Sequence, residues 1–75
     1  MRKYSFKVDY EGRDYCDMVV DAIKTLTNCS EEEALSLVNN YWNDEEFVGD
    51  TLNYHEVPKH WAKIICYGDF YWKNE

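Results

Sequence analysis

Seventy-five residues suffice for one domain, 1–75, with no room for a repeat or a linker. The 45% hydrophobic and 17% aromatic content puts the chain with packed folds rather than disordered ones, despite a net charge of −7. That charge argues against direct binding to nucleic acid or membrane, and no apolar run approaches the roughly 20 residues of a membrane span.

The opening Met1-Arg2-Lys3-Tyr4-Ser5 carries no signal-peptide pattern, so a soluble, cytoplasmic protein is expected. Residues 3–10 alternate, with Tyr4, Phe6, Val8 and Tyr10 on one face and Lys3, Ser5, Lys7 and Asp9 on the other. Period two predicts a strand with one buried face, ended by a turn at Glu11-Gly12. Residues 14–27 switch to helical period. Cys16, Val19, Val20, Ile23 and Leu26 share one face, opposite Asp14, Asp17, Asp21 and Lys24, and Asn28 suits the C-cap.

Ser30 starts a second helix and forms a capping box with Glu33, while Glu31 and Glu32 suit the positive end of its dipole. Its apolar stripe is Ala34, Leu35, Val38, Tyr41 and Trp42. Over 43–56 two readings stay open. Asp44 caps a short third helix carrying Phe47, Val48 and Leu52, weakened by Gly49, or the second helix runs on. Pro58 suits the first turn of a last helix that has Trp61, Ile64 and Ile65 inward, Lys59 and Lys63 outward, and Gly68 at its end. The tail Asp69-Phe70-Tyr71-Trp72-Lys73 is rich in strand formers.

A lone strand cannot satisfy its own backbone, so the tail is expected to pair with residues 3–10 beneath three or four helices. The fold class is α+β, a small single domain in the order β-α-α-(α)-α-β. The alternatives are an all-α bundle with an extended N-terminal arm and a homodimer joined through that strand. Cys16, Cys29 and Cys66 are odd in number and widely spaced, which predicts reduced thiols in the core rather than disulfides.

Familiar chemical motifs fail on spacing. His55 and His60 are five apart, about 140° out of helical register, with Pro58 between them, so they do not form a zinc-binding helix pair. Asp44 to His55 has Gly49 at the sixth position of a calcium loop but offers Val48 and His55 where oxygen ligands are needed. No phosphate-cradling glycine loop or nucleophile triad stands out, and Glu56 beside His60 is an ordinary pair at a helix start. No catalytic residue, metal or cofactor is expected.

The distribution of acid carries more information. Residues 14–56 hold eleven Asp and Glu against one base, Lys24, while 1–13 and 57–75 are mildly basic. A surface that only confers solubility mixes its signs; this one does not. Asp14, Asp17 and Asp21 form a ladder with rungs about 4.5 and 6 Å apart along a helix axis. Glu31, Glu32 and Glu33, and Asp44, Glu45 and Glu46, make two further clusters. DNA presents about one charge per 1.7 Å of duplex axis, so such an array is suited to a phosphate-binding groove on another protein. The rings Tyr41, Trp42, Tyr54, Trp61, Tyr67, Phe70, Tyr71 and Trp72 exceed what a small core needs. Trp42 and Trp61 are expected inside, and Tyr71 and Trp72 are expected as exposed contact residues.

The stretch Tyr54-His55-Glu56-Val57-Pro58-Lys59-His60-Trp61-Ala62-Lys63-Ile64-Ile65-Cys66-Tyr67-Gly68-Asp69 resembles small proteins encoded by phages and mobile elements of Gram-positive bacteria. The likeness rests on the proline and on the Trp-Ala, Ile-Ile and Tyr-Gly-Asp groups, and it covers about a fifth of the chain. It carries no functional residue across. It implies a setting in which small acidic proteins often inhibit host nucleases, anti-CRISPR proteins among them. The expected function is a non-enzymatic, acidic inhibitor that binds a basic nucleic-acid-binding protein of the host, with nucleic-acid mimicry of its basic groove as one way to do so. The contact set is Asp14, Asp17, Asp21, Glu31, Glu32, Asp44, Glu45, Glu46, Tyr71 and Trp72. The alternative is a homo-oligomeric structural or accessory protein.

Overall fold

A computed structural model describes residues 2–49, 54 and 56–68. Its elements are β1 (Lys7–Val8), α1 (Tyr10–Thr27), α2 (Glu31–Tyr41), β2 (Glu46–Phe47) and α3 (Pro58–Tyr67). The fold is three helices with a two-stranded parallel sheet, pairing Lys7 with Glu46 and Val8 with Phe47. Parallel neighbours need a long crossover, and the α1–α2 hairpin supplies it.

The alternation expected from residue 3 holds through Val8. Phe6 is buried and Tyr4 and Val8 are half-buried, while Lys3, Ser5 and Lys7 are exposed. It breaks at Tyr10, which is 84% exposed because it is already the first residue of α1. The expected turn at Glu11-Gly12 is therefore helix, and Asp9 is the reason. Its carboxylate accepts from the Gly12 amide at 2.8 Å as an N-cap and from the Gly49 amide at 2.8 Å, while its own amide donates to the Phe47 carbonyl at 2.9 Å.

Part of the strand's backbone is bonded by a side chain. The side-chain amide of Asn39 accepts from the Ser5 N–H at 2.7 Å and donates to the Lys3 carbonyl at 3.2 Å, standing in for a neighbouring peptide group. Beyond it, β2 takes over. The tail from residue 69 lies outside the described residues.

Helix ends follow local chemistry. Asn28 adopts the left-handed conformation (φ 56°) at the end of α1, and its amide bonds to the Lys24 carbonyl at 2.8 Å. Ser30 caps α2 by accepting from the Glu33 amide at 3.1 Å, and its hydroxyl donates to the Glu33 carboxylate at 3.1 Å. Pro58 opens α3 and Gly68, at φ 81°, closes it.

Neither reading of 43–56 holds over the described part. Residues 42–44 turn, Glu45 donates to the Trp42 carbonyl at 3.0 Å, and Asp44 caps no helix. Phe47 lies five residues after Trp42, about 140° out of phase with the α2 stripe. Both rings can be buried only if the helix stops between them. Gly49 then turns the chain at φ 69°.

The core joins all five elements. Cys16, Val19, Val20 and Ile23 of α1 meet Ala34 and Val38 of α2, Trp42 at its C-cap, Ala62 of α3, Phe47 of β2 and Phe6, with Val8 of β1 packed against them. Phe47 is the centre of a ring cluster, with centroids 4.7 Å from Trp42, 5.7 Å from Phe6, 6.0 Å from Tyr54 and 6.2 Å from Tyr15. Trp61 packs on Trp42 at 5.3 Å. Both tryptophans expected inside are there, Trp42 fully and Trp61 in part.

Bonds from the Gly49 and Gly12 amides hold the Asp9 carboxyl below its ordinary pKa of about 3.9. A depressed folded-state pKa stabilises the fold above the unfolded value, and that contribution is lost as pH falls through the folded value. Asp9→Asn keeps one capping oxygen but cannot serve both amides as an anion. It is expected to melt several degrees below the parent at pH 7, with the gap closing under acid. Thermal melts of both proteins from pH 7 down to about pH 2 check this; a gap that does not change with pH would rule out the ionised cap.

Candidate interaction surface

The acids expected to face a partner separate into distinct environments. Asp14 is exposed and forms no ion pair among the described residues. Asp17 and Asp21 are different, because Arg2 lies across them. Its guanidinium donates to the Asp17 carbonyl at 3.1 Å, to Asp21 Oδ1 at 2.6 Å and to Glu31 Oε1 at 2.8 Å, and lies 3.6 Å from Asp17 Oδ1. Lys24 adds a second contact to Glu31 at 3.2 Å. The Tyr4 hydroxyl donates to Asp17 Oδ1 at 2.5 Å.

This arrangement has clear electrostatic consequences. Hydrogen bonds from Arg2 and then Lys24 hold the Glu31 carboxyl below its usual range, and the bond to Glu31 is the main reason Arg2 is more firmly protonated than usual. Burial, followed by the bond to Asp17, keeps the Tyr4 phenol neutral. Two rungs of the α1 ladder and the first acid of α2 are thus paired within the chain, three carboxylates against the two bases Arg2 and Lys24. Arg13 braces the arm, donating to the Arg2 carbonyl at 2.6 Å with its guanidinium carbon 5.6 Å from the centre of the Tyr4 ring.

Six other acids are open. Glu11, Asp14, Glu32, Asp44, Glu45 and Glu46 are exposed and form no ion pair among the described residues. Asp44, Glu45 and Glu46 lie on the turn and β2, joined to the start of α1 through Asp9 and Phe47, whereas Glu32 lies at the start of α2. The two clusters therefore bracket the chain rather than continue the α1 ladder.

Tyr71 and Trp72 lie outside the described residues. Among the described rings, Tyr10 is the most exposed, followed by Tyr67 at 55% and Tyr41 at 42%. Tyr10 was hidden from sequence reading by its place in the alternation, which assigned it to the buried face. Arg2 was also missed. Its partners lie far along the chain, and the only local sign was a base in a flank opposite a helix with acids at i and i+4.

Other reactive groups are quiet. Burial pushes the Cys16 thiol up to about 12, and burial followed by the proximity of Cys29 raises that of Cys66. His60 Nδ1 lies 3.3 Å from Glu56 Oε1. Among the described residues, no three His, Cys, Asp or Glu side chains are grouped to hold a metal ion. No helix among them is long and apolar enough to cross a membrane. The chain matches no family model, no curated protein and no solved structure.

Proposed function

We propose that this chain is a non-enzymatic inhibitor that works by binding a basic, nucleic-acid-binding protein. The carrying observation is the sorting of its acids. Asp17, Asp21 and Glu31 share Arg2, with Lys24 also on Glu31, while Asp14, Glu32, Asp44, Glu45 and Glu46 stay exposed and form no ion pair among the described residues. A fold that had use for all its acids internally would not leave this second set uncovered by base. Presented on rigid helix and turn backbone, they steer a basic surface into contact and compete there with phosphate. The resemblance of residues 54–69 to small phage and mobile-element proteins supports the same reading and points to a host defence nuclease as target.

The open acids also make the cleaner test. Reversing Asp14, Glu32, Asp44 and Glu45 to lysine is expected to abolish capture of nucleic-acid enzymes from a bacterial lysate while leaving the melting temperature within a few degrees. Reversing Asp17 or Asp21 would release Arg2 as well and confuse binding with folding. Parent protein should retain its partner in low salt, lose it in high salt and yield it to competing DNA or guide RNA. Equal capture by the reversed variant would remove the reading. Self-association in sedimentation at two concentrations would favour a homo-oligomeric accessory protein instead.

A further inference from the structure

Glu11, Asp14, Tyr15 and Met18 follow one another at i, i+3, i+4 and i+7 on α1, a helical stripe apart from the one that enters the core. With Tyr54 they line a shallow groove of about 270 Å³. That is smaller than the usual site for a small molecule and suited to a single side chain. Its walls are two phenol rings and a thioether, and its acidic members are two exposed carboxylates.

We propose that this groove receives an arginine side chain from a basic segment of the partner. The inference rests on the basic-partner reading above and names the point of contact. An arginine stem lies well against Met18 and the rings, and its planar head matches both a carboxylate and a ring face. Met18 is 56% exposed, a large apolar side chain left open beside two anions. Tyr15 is held in place. Its hydroxyl donates to the Glu56 carbonyl, and its ring lies 4.9 Å from Tyr54 and 6.2 Å from Phe47.

The one base near this stripe in sequence does not serve it. Arg13, between Glu11 and Asp14, is committed to the Arg2 carbonyl and the Tyr4 ring. The groove therefore keeps its negative charge. The chain also shows how helix carboxylates take a guanidinium, since Arg2 is held between Asp21 of α1 and Glu31 of α2 at 2.6 and 2.8 Å. Among the described residues no base lines the groove, and the equivalent cation is one supplied by the partner.

The test is a titration of the isotopically labelled full chain with a short poly-arginine peptide, followed by backbone amide shifts. The largest shifts are expected at residues 11–18 and at Tyr54. Asp14→Asn should weaken the peptide several-fold, while Glu33→Gln, which removes equal charge at an exposed acid away from the groove, should change it less than about twofold. Met18→Ala, which alters no charge, should also weaken it several-fold. Equal weakening by the two charge variants, with shifts spread over every acid, would overturn the groove and leave a diffuse basic-partner reading intact. Shifts confined to another region would overturn the groove alone. No shift anywhere would overturn both.

Discussion

Phe47→Ala is expected to remove about half of the chain's stability or more. The ring is fully buried and packs on Phe6, Tyr15, Trp42 and Tyr54, so it joins β1, α1, the end of α2 and the approach to α3. Removing a buried phenylalanine costs about 3–5 kcal/mol, partly in lost transfer energy and partly in the cavity left behind. A chain of 75 residues has only about 4–11 kcal/mol of stability in total. Urea unfolding of parent and variant, read by near-ultraviolet circular dichroism from the ring cluster, measures the loss. Val48→Ala is the control, since Val48 is 50% exposed and its truncation should cost little. A Phe47→Ala loss no larger than that of the control would mean the ring cluster is not the centre of the core.

Gly12→Ala runs against intrinsic helix preference and is expected to destabilise nonetheless. Alanine is favoured over glycine within helices by about 1 kcal/mol. At this position, however, a methyl group would fall on the Phe47 carbonyl oxygen and within 2.7 Å of the Phe47 Cβ, while Asp9 Oδ1 stands at 3.1 Å. Two of these three neighbours belong to β2. Giving way means pulling β2 off the first turn of α1, which breaks the bonds from the Asp9 and Gly49 amides that close this corner. Overpacking of this kind costs about 1–3 kcal/mol, or roughly 5–20 °C in melting temperature for a domain of this size. Calorimetry measures the fall, and faster hydrogen exchange at the Asp9 amide locates it. A melting temperature above the parent's would show that propensity governs and that β2 does not lie against Gly12.

What the sequence made legible was whatever is decided within a few residues. The Ser30–Glu33 box, Asn28 at the end of α1, and Pro58 and Gly68 bounding α3 are interactions between near neighbours, and each is found in place. The buried stripe Cys16, Val19, Val20 and Ile23 likewise follows from helical period alone. Long-range features were not legible. Asp9 read as the outer face of a strand, yet its role depends on Gly49 and Phe47, which lie about forty residues away. Gly12 read as a turn because local patterning cannot show a second backbone passing over a helix. Phe47 read as helical because its phase against Trp42 matters only once both rings compete for the same core. The acids were visible as residues but not as sites, because the division between paired and open carboxylates is made mainly by Arg2, 15 to 29 residues away along the chain.

The parallel pairing of β1 with β2 also bears on how the molecule reaches its native state. The two strands come from opposite halves of the described chain, and the whole α1–α2 hairpin lies between them. Closing so large a loop costs entropy that two residue pairs cannot repay. The hairpin is built mainly from near-neighbour contacts and can form early, bringing the strand segments together before they meet. The sheet is then a late clasp on a helical nucleus. Because β2 carries the fully buried Phe47, this clasp opens only together with the core, and the corner formed by Asp9, Gly12 and Phe47 reports global rather than local unfolding.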